Sequence, residues 1–370
     1  MTAPIASVGA DAEQSLSKNT FQIITNPKEQ INPQASKSTE HNLKTISMTA
    51  LYDAIYPPKT PIIDGFLYAG TYLFVGAPKI GKSFFMAQIS YHISMGLSLW
   101  EYPIHKGTVL YLALEDDYAR LQKRLSQMFG IEASNSLLFA TEASTLHDGL
   151  EQQLDAFLQK YPNTRLIIID TLQKIRERNS EHYSYANDYD IVTKLKSFSD
   201  KHNICLLVVH HTRKMESDDS FDMISGTNGL LGAADGAFIM QKKKRTDNVA
   251  TIDVVGRDQQ DQRLTIEFDR NRCIWMLSKA ETELWRVPPD PILEEISKLL
   301  SSKITQWTGT SSELLALLPS IDLQPNVLTR KLNVSAERLY NEYGIRYENK
   351  RTHAGRIVSL TKIAEPRDDI

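Results

Sequence analysis

The chain has 370 residues, 41% of them hydrophobic and 24% charged, with a net charge of −3. That length allows one large domain and a smaller one, and so ordinary a composition excludes a fibrous or wholly disordered chain. The near-neutral balance excludes a uniformly basic coat, so any nucleic-acid contact must use local patches.

In chain order, residues 1–45 are rich in Ser, Thr, Asn, Gln and Lys and carry no sustained periodicity. Such a segment buries too little surface to offset its ordering entropy and reads as a mobile tail. A core domain is expected over residues 46–287. Thr71–Val75 is a short β-branched and aromatic run bounded by Gly70 and Gly76, which predicts a buried strand. It feeds Gly76-Ala77-Pro78-Lys79-Ile80-Gly81-Lys82-Ser83, which fits G-x-x-x-x-G-K-[ST]. In that spacing the glycines let successive N–H groups face phosphate oxygens, Lys82 reaches the β/γ-phosphates and Ser83 ligates Mg²⁺. Phe84, Phe85, Ile89 and Ile93 then recur at helical spacing up to Gly96, so the phosphates would sit at a helix N-terminus. The expected cofactors are ATP and Mg²⁺.

A second strand, Thr108–Leu114, ends in Glu115-Asp116-Asp117, and Leu166–Ile169 ends in Asp170. Asp170 is expected to hold the Mg²⁺ shell from the strand beside the phosphate loop. Glu115 projects at the carboxyl edge of the sheet, where a carboxylate can orient or deprotonate water. Asp116 and Asp117 read as solvated or helix-capping acids. Ile204–Val209 is a further apolar strand closed by His210-His211, of which at most one can meet a γ-phosphate, because successive strand side chains alternate. Unbroken apolar strands alternating with helices predict an α/β fold, a mostly parallel sheet covered on both faces. From Ala237 the period changes to four antiparallel hairpin strands, Ala237–Gln241, Val249–Val255, Leu264–Phe268 and Cys273–Leu277. Lys242-Lys243-Lys244-Arg245 falls in a turn between two of them and reads as solvated.

After Pro288-Pro289 and Pro291, residues 288–370 restart as a second domain of helices ending in a hairpin. Trp307–Thr310 reads as a turn between helices, and Ser335 as the cap of a recognition-type helix closed near Gly344. Cys205 and Cys273 match no metal spacing and read as buried thiols of a reduced compartment. No apolar run approaches the ~18 residues of a membrane helix and no secretory pattern opens the chain, so a cytoplasmic protein with no membrane contact is expected.

The ordered set of Gly76–Ser83, Glu115, Asp170 and His210–Lys214 resembles the RecA-like P-loop ATPases. Over roughly residues 50–280 it looks most like the RepA-type hexameric helicases of plasmids and mobile elements, relatives of the DnaB replicative helicases. The resemblance implies that Glu115 is the catalytic base and that His211 senses the γ-phosphate. Val254–Asp258 followed by Leu264–Phe268 is similar to the DnaB-type segment whose arginine enters the neighbouring subunit's site, which makes Arg257 a catalytic finger in trans. Where those helicases carry a second cation, this chain has Val255. The same resemblance implies a homo-oligomer, a hexameric ring on single-stranded DNA, with Arg176, Arg178, Arg213 and Lys214 on channel loops. The C-terminal pattern is similar to winged helix-turn-helix domains of mobile-element replication proteins, with Lys350, Arg351 and Arg356 gripping phosphates through the wing. The tail and this module are the candidate contacts for a replication partner. A DNA-binding regulator in which ATP only sets assembly, and a recombinase or KaiC-like ATPase, stay open beside the helicase reading, since the first shares every ATP-site residue.

Overall fold

The computed structural model describes residues 45–56, 59–176, 185–211, 228–244, 246–257, 260–282, 288–300, 304–352 and 355–363. The chain clusters into two units, Met1–Met48 and Thr49–Ile370. Of the first, only residues 45–48 are described, an irregular lead into α1 (Met48–Asp53).

The second unit opens with the remainder of α1 and an antiparallel pair, β1 (Pro61–Ile63) and β2 (Leu67–Tyr68). Then come β3 (Gly70–Gly76), α2 (Lys82–Met95), β4 (Thr108–Ala113), α3 (Tyr118–Phe129), β5 (Leu137–Ala140), α4 (Leu150–Lys160) and β6 (Thr164–Asp170). After a short 3₁₀ turn at Leu172–Ile175 follow α5 (Tyr185–His202), β7 (Cys205–His211), α6 (Asn228–Ala233), β8 (Gly236–Gln241), β9 (Val249–Gly256), β10 (Gln262–Asp269) and β11 (Ile274–Thr282). These strands form a nine-stranded sheet ordered β11-β10-β9-β8-β3-β7-β6-β4-β5. From β8 to β5 all neighbours are parallel, and β9, β10 and β11 continue antiparallel from β8. The fold is therefore mixed α/β on a large, mostly parallel sheet.

Two cores explain the unbroken apolar strands. Tyr72 and Phe74 of β3, with Val109 and Tyr111 of β4, pack against α2 and α3 through Phe85, Ile89, Leu121 and Met128. The alternate residues Leu73, Val75, Leu110 and Leu112 face the other way, onto Leu154 of α4, Leu195 of α5 and Leu230 of α6. A period-2 strand covered on both faces has to be apolar at every position. Cys205 and Cys273 are both buried free thiols within this unit.

One expectation needs correction here. Asp170 does not end the strand beside the phosphate loop, because β7 lies between β3 and β6. The four expected hairpin strands are β8 to β11, successively antiparallel, and β8 joins them to the main sheet by pairing parallel with β3.

The C-terminal residues build α7 (Pro291–Leu299), β12 (Gln306–Thr310), α8 (Ser311–Ala316), α9 (Pro325–Val334), α10 (Ala336–Tyr343), β13 (Ile345–Thr352) and β14 (Gly355–Lys362). Leu293, Ile296, Leu314, Leu328, Leu332, Leu339, Val358 and Leu360 form a third core beneath a three-stranded antiparallel sheet ordered β12-β14-β13. Asp290 caps α7 by accepting from the Ile292 N–H at 3.1 Å, and Thr310 with Glu313 closes a capping box on α8. Trp307–Thr310 is a strand and not a turn, because its partner is β14 some fifty residues on, with Trp307 opposite Leu360. Ser335 makes no side-chain cap to α10, although Gly344 ends that helix in the left-handed conformation as expected. Among the described residues, no helix is long and apolar enough to cross a membrane.

Candidate nucleotide site

β3 delivers the chain to Gly76 at the carboxyl edge of the sheet, and α2 starts at Lys82. A Cβ at Gly76 would lie 2.6 Å from the Met240 carbonyl oxygen. At Gly81, φ is +104° and a Cβ would lie 2.7 Å from the Trp275 ring, so both glycines are dictated by space and one also by backbone. No side chain caps the first turn of α2, which leaves its N–H groups to an anion.

Lys82 is 4% exposed, and its ammonium donates to the Gly76 and Ala77 carbonyls at 2.7 and 2.8 Å. Burial pulls its pKa down to about 8, against the opposing pull of Asp170 and Glu115. The same ammonium lies 3.0 Å from His211 Nδ1. Burial first, and then the Lys82 charge, lower the His211 pKa and keep the ring neutral. Nδ1 is then the acceptor, which leaves the proton on Nε2, 3.7 Å from Glu115 Oε2. Glu115 Oε1 accepts from the Thr171 hydroxyl at 3.1 Å. Lys82 at the start of α2, His211 at the end of β7 and Glu115 just past β4 thus form one polar chain at the carboxyl edge of the sheet.

Asp170 is buried and closes β6. Its Oδ2 accepts from the Tyr111 hydroxyl at 2.8 Å and from Ser83 Oγ at 3.0 Å. Burial raises its pKa, and those two hydrogen bonds pull it back. A hydroxyl beside a carboxylate at the foot of a phosphate cradle is a hard-oxygen donor pair of the kind that suits Mg²⁺, which takes few protein ligands and completes its shell with phosphates and water.

Beside the loop opens a cavity of about 380 Å³ lined by Lys79, Lys82, Arg124, Lys242, Ser83, His211 and the aromatic side chains of Phe84, Phe268 and Trp275. Among the described residues, four cations and no carboxylate line it, a field made for a polyanion. Arg124 lies 5.4 Å over the Phe84 ring and pairs with Asp116 at 2.7 Å. Lys242 lies 5.0 Å over Trp275 and donates to the Asp247 carbonyl at 2.9 Å, so it belongs to the site and not to a solvated turn.

Tyr111, Thr171 and Arg124 are the residues that reading the sequence missed. Only Tyr111 left a trace: a lone phenol inside an apolar strand needs a partner for its hydroxyl. Asp117 caps α3 by accepting from the Arg120 N–H at 2.8 Å, as expected of that acid.

His210 takes no part in this chain of contacts. Burial, then the nearby Arg176 charge, push its pKa down to about 4. Arg176 is half-buried. Arg257 is exposed; its guanidinium donates to the Gly232 carbonyl and its N–H to the Asp235 carbonyl at 2.9 Å, and it does not line this chain's cavity. Lys350 pairs with Glu348 at 3.6 Å, and Arg356 with Asp53 at 3.0 Å. Arg178, Arg213, Lys214, the loop through residue 227 and the Arg351 side chain lie outside the described residues, as does the expected tail before residue 45.

Residues 37–217 match the model of a family described as an AAA domain, which supports a nucleotide-binding P-loop ATPase. No curated protein matches the chain. Among solved structures, the chain is similar to one described as an ATPase domain, at 13% identity and a TM-score of 0.48, covering 57% of this chain and 85% of that one. A DnaB-like replicative helicase, described with its interactions with primase, is similar at 15% identity and a TM-score of 0.46, covering 56% of this chain and 58% of that one.

Proposed function

We propose that the chain is a RecA-like, ATP-driven DNA helicase or translocase, of the RepA type, acting in replication of a plasmid, phage or integrated element. Residues 46–287 are its motor and residues 288–370 a winged-helix-like module. The observation that carries this reading is the polar chain from Lys82 through His211 to Glu115, which ties a phosphate-binding cation to a candidate base through the end of β7.

Phosphates entering the loop would take the Lys82 ammonium from the Gly76 and Ala77 carbonyls, neutral partners that water can satisfy instead. Ser83 and Asp170 would hold Mg²⁺, which supplies charge neutralisation on the β/γ-phosphates. Glu115, steadied by Thr171, accepts a proton from the attacking water. His211 loses or gains its Lys82 contact as the γ-phosphate comes and goes, and β7 carries that change into the segment beginning at residue 212. Arg257 would complete a neighbouring subunit's site in a hexameric ring, and Arg176, Arg178, Arg213 and Lys214 would track single-stranded DNA. A cytoplasmic location and a replication partner on the tail or the C-terminal module belong to the same reading.

Steady-state ATP turnover with and without single-stranded DNA tests it. Strong stimulation is expected. A low, DNA-insensitive rate would favour the second reading, a nucleotide-switched DNA-binding regulator, for which the internal pairing of Arg356 with Asp53 speaks.

A further inference from the structure

Among the described residues, several cations of the C-terminal module are committed to acids of that same module: Lys331 to Asp290 at 2.5 Å, Arg338 to Glu342 at 2.8 Å and Lys350 to Glu348 at 3.6 Å. Arg330 and Arg356 are paired differently. Arg330 of α9 and Arg356 of β14 both reach Asp53, the last residue of α1, which stands before the P-loop strand in sequence. Asp53 Oδ1 accepts from Arg330 Nε at 3.2 Å and Oδ2 from Arg356 Nη2 at 3.0 Å, so each carboxylate oxygen takes one guanidinium. Beside them, Asn333 Nδ2 of α9 donates to the Tyr52 carbonyl at 2.9 Å. Asn333 is held in turn by Tyr347 and Asn349 of β13, which donate to its Oδ1 at 2.8 and 3.2 Å.

The face is a ready receptor for an anion with two free oxygens. Guanidinium pairs match carboxylates and phosphates alike, and the neighbouring amide suits an uncharged ester or carbonyl oxygen. Two arginines facing one carboxylate leave a positive excess, which draws a polyanion to the same place. The occupant is lightly held. No residue of α1 is buried, and the three carboxylate and guanidinium side chains are each about one-third exposed, at 31–35%. Ion pairs this open are weak and screened by salt. The arginines hold Asp53 below the ordinary carboxylate range, so its charge is present at neutral pH.

We propose that Arg330, Asn333 and Arg356 form a docking face for nucleic-acid phosphodiesters, and that Asp53 with the Tyr52 carbonyl occupies it in cis as a phosphate mimic which nucleic acid displaces. This rests on the reading of the C-terminal module as a DNA-binding one and adds its regulation. Because α1 precedes β1, β2 and the P-loop strand β3 in the chain, its release would join strand capture by the module to the ATPase core.

The test is fluorescence anisotropy of the full chain without nucleotide, against a labelled oligonucleotide, single-stranded in one arm and duplex in the other. Asp53→Asn removes the competing charge and keeps the shape; it should tighten binding about two- to fivefold. Arg330→Ala and Arg356→Ala should weaken binding and each lower the salt slope by about one. Should the arginine variants weaken binding while Asp53→Asn leaves it unchanged or weaker, the face binds nucleic acid but Asp53 is no mimic, and the proposal falls. If none of the three alters binding in either arm, the DNA-binding reading of the module falls with it. Hydrogen exchange on the wild-type chain needs no variant: saturating oligonucleotide should deprotect the amides of α1, and unchanged protection would overturn the proposal.

Discussion

The molecule holds two groups of cations aimed at anions, and it ties them down differently. Lys82 rests on two backbone carbonyls and a neutral imidazole, whereas Arg330 and Arg356 rest on a carboxylate. The first arrangement is buried, and charge there is costly enough to bring the lysine to about pH 8. Its hydrogen-bond partners are uncharged, so an arriving phosphate displaces no anion and relieves the burial penalty. The second arrangement is open to water and already holds a carboxylate, so an arriving phosphate has to compete with a like charge. One site is poised to bind; the other is poised to exchange.

The largest effect that would break this contrast lies at the P-loop. Lys82→Ala should cut ATP turnover by roughly 100- to 1000-fold in a steady-state phosphate-release assay, the scale expected for removing one preorganised donor. A smaller change would mean that the ammonium does not serve the phosphates. Next comes Tyr111→Phe, which takes one of two donors from the buried Asp170. It should raise the Mg²⁺ concentration for half-maximal turnover about tenfold and lower stability by about 1–2 kcal/mol, read from a Mg²⁺ titration and a urea melt.

A third effect is pH-dependent and sharpens the burial side of the contrast. The folded state keeps His210 neutral down to about pH 4, while the unfolded chain protonates it near its ordinary 6.5. Between those values the unfolded state binds more protons, so stability falls as pH drops from 6.5 to 4. His210→Gln should flatten that limb of a urea-midpoint profile and leave the value at about pH 7.5 nearly unchanged. The smallest effect belongs to the exposed clamp: Asp53→Asn should alter global stability by less than about 1 kcal/mol in the same melt, even where it changes binding.

What was legible in the sequence follows from locality. Gly76 to Ser83 announced itself because backbone chemistry demands glycine at fixed offsets between a strand and a helix, and Asp170 because an acid closing a run of four apolar residues marks a strand end. Strand alternation left His210 and His211 open and only the resemblance pointed to His211, whose ring lies 3.0 Å from the Lys82 ammonium. Strand order was not legible: β3, β6 and β7 are equally apolar, and nothing local says that β7 takes the place between the other two. Long-range pairs were equally hidden. Tyr111 meets Asp170 across 59 residues, and Arg356 meets Asp53 across 303. β12 escaped for the same reason, since Trp307-Thr308-Gly309-Thr310 becomes a strand only once β14 lies beside it. In β13, Ile345 and Tyr347 alternate with exposed Arg346 and Glu348, a half-buried period-2 pattern that charged composition obscures.

The claim that most needs testing is that Glu115, held by Thr171 and facing His211, is the group that activates water. The direct measurement is a single-turnover experiment on Glu115→Gln with excess enzyme, following bound ATP and released phosphate together. The expected result is ATP bound as in the wild type with phosphate release slowed by about 100-fold or more. Phosphate released at the wild-type rate would contradict it and move the base elsewhere at the edge of the sheet.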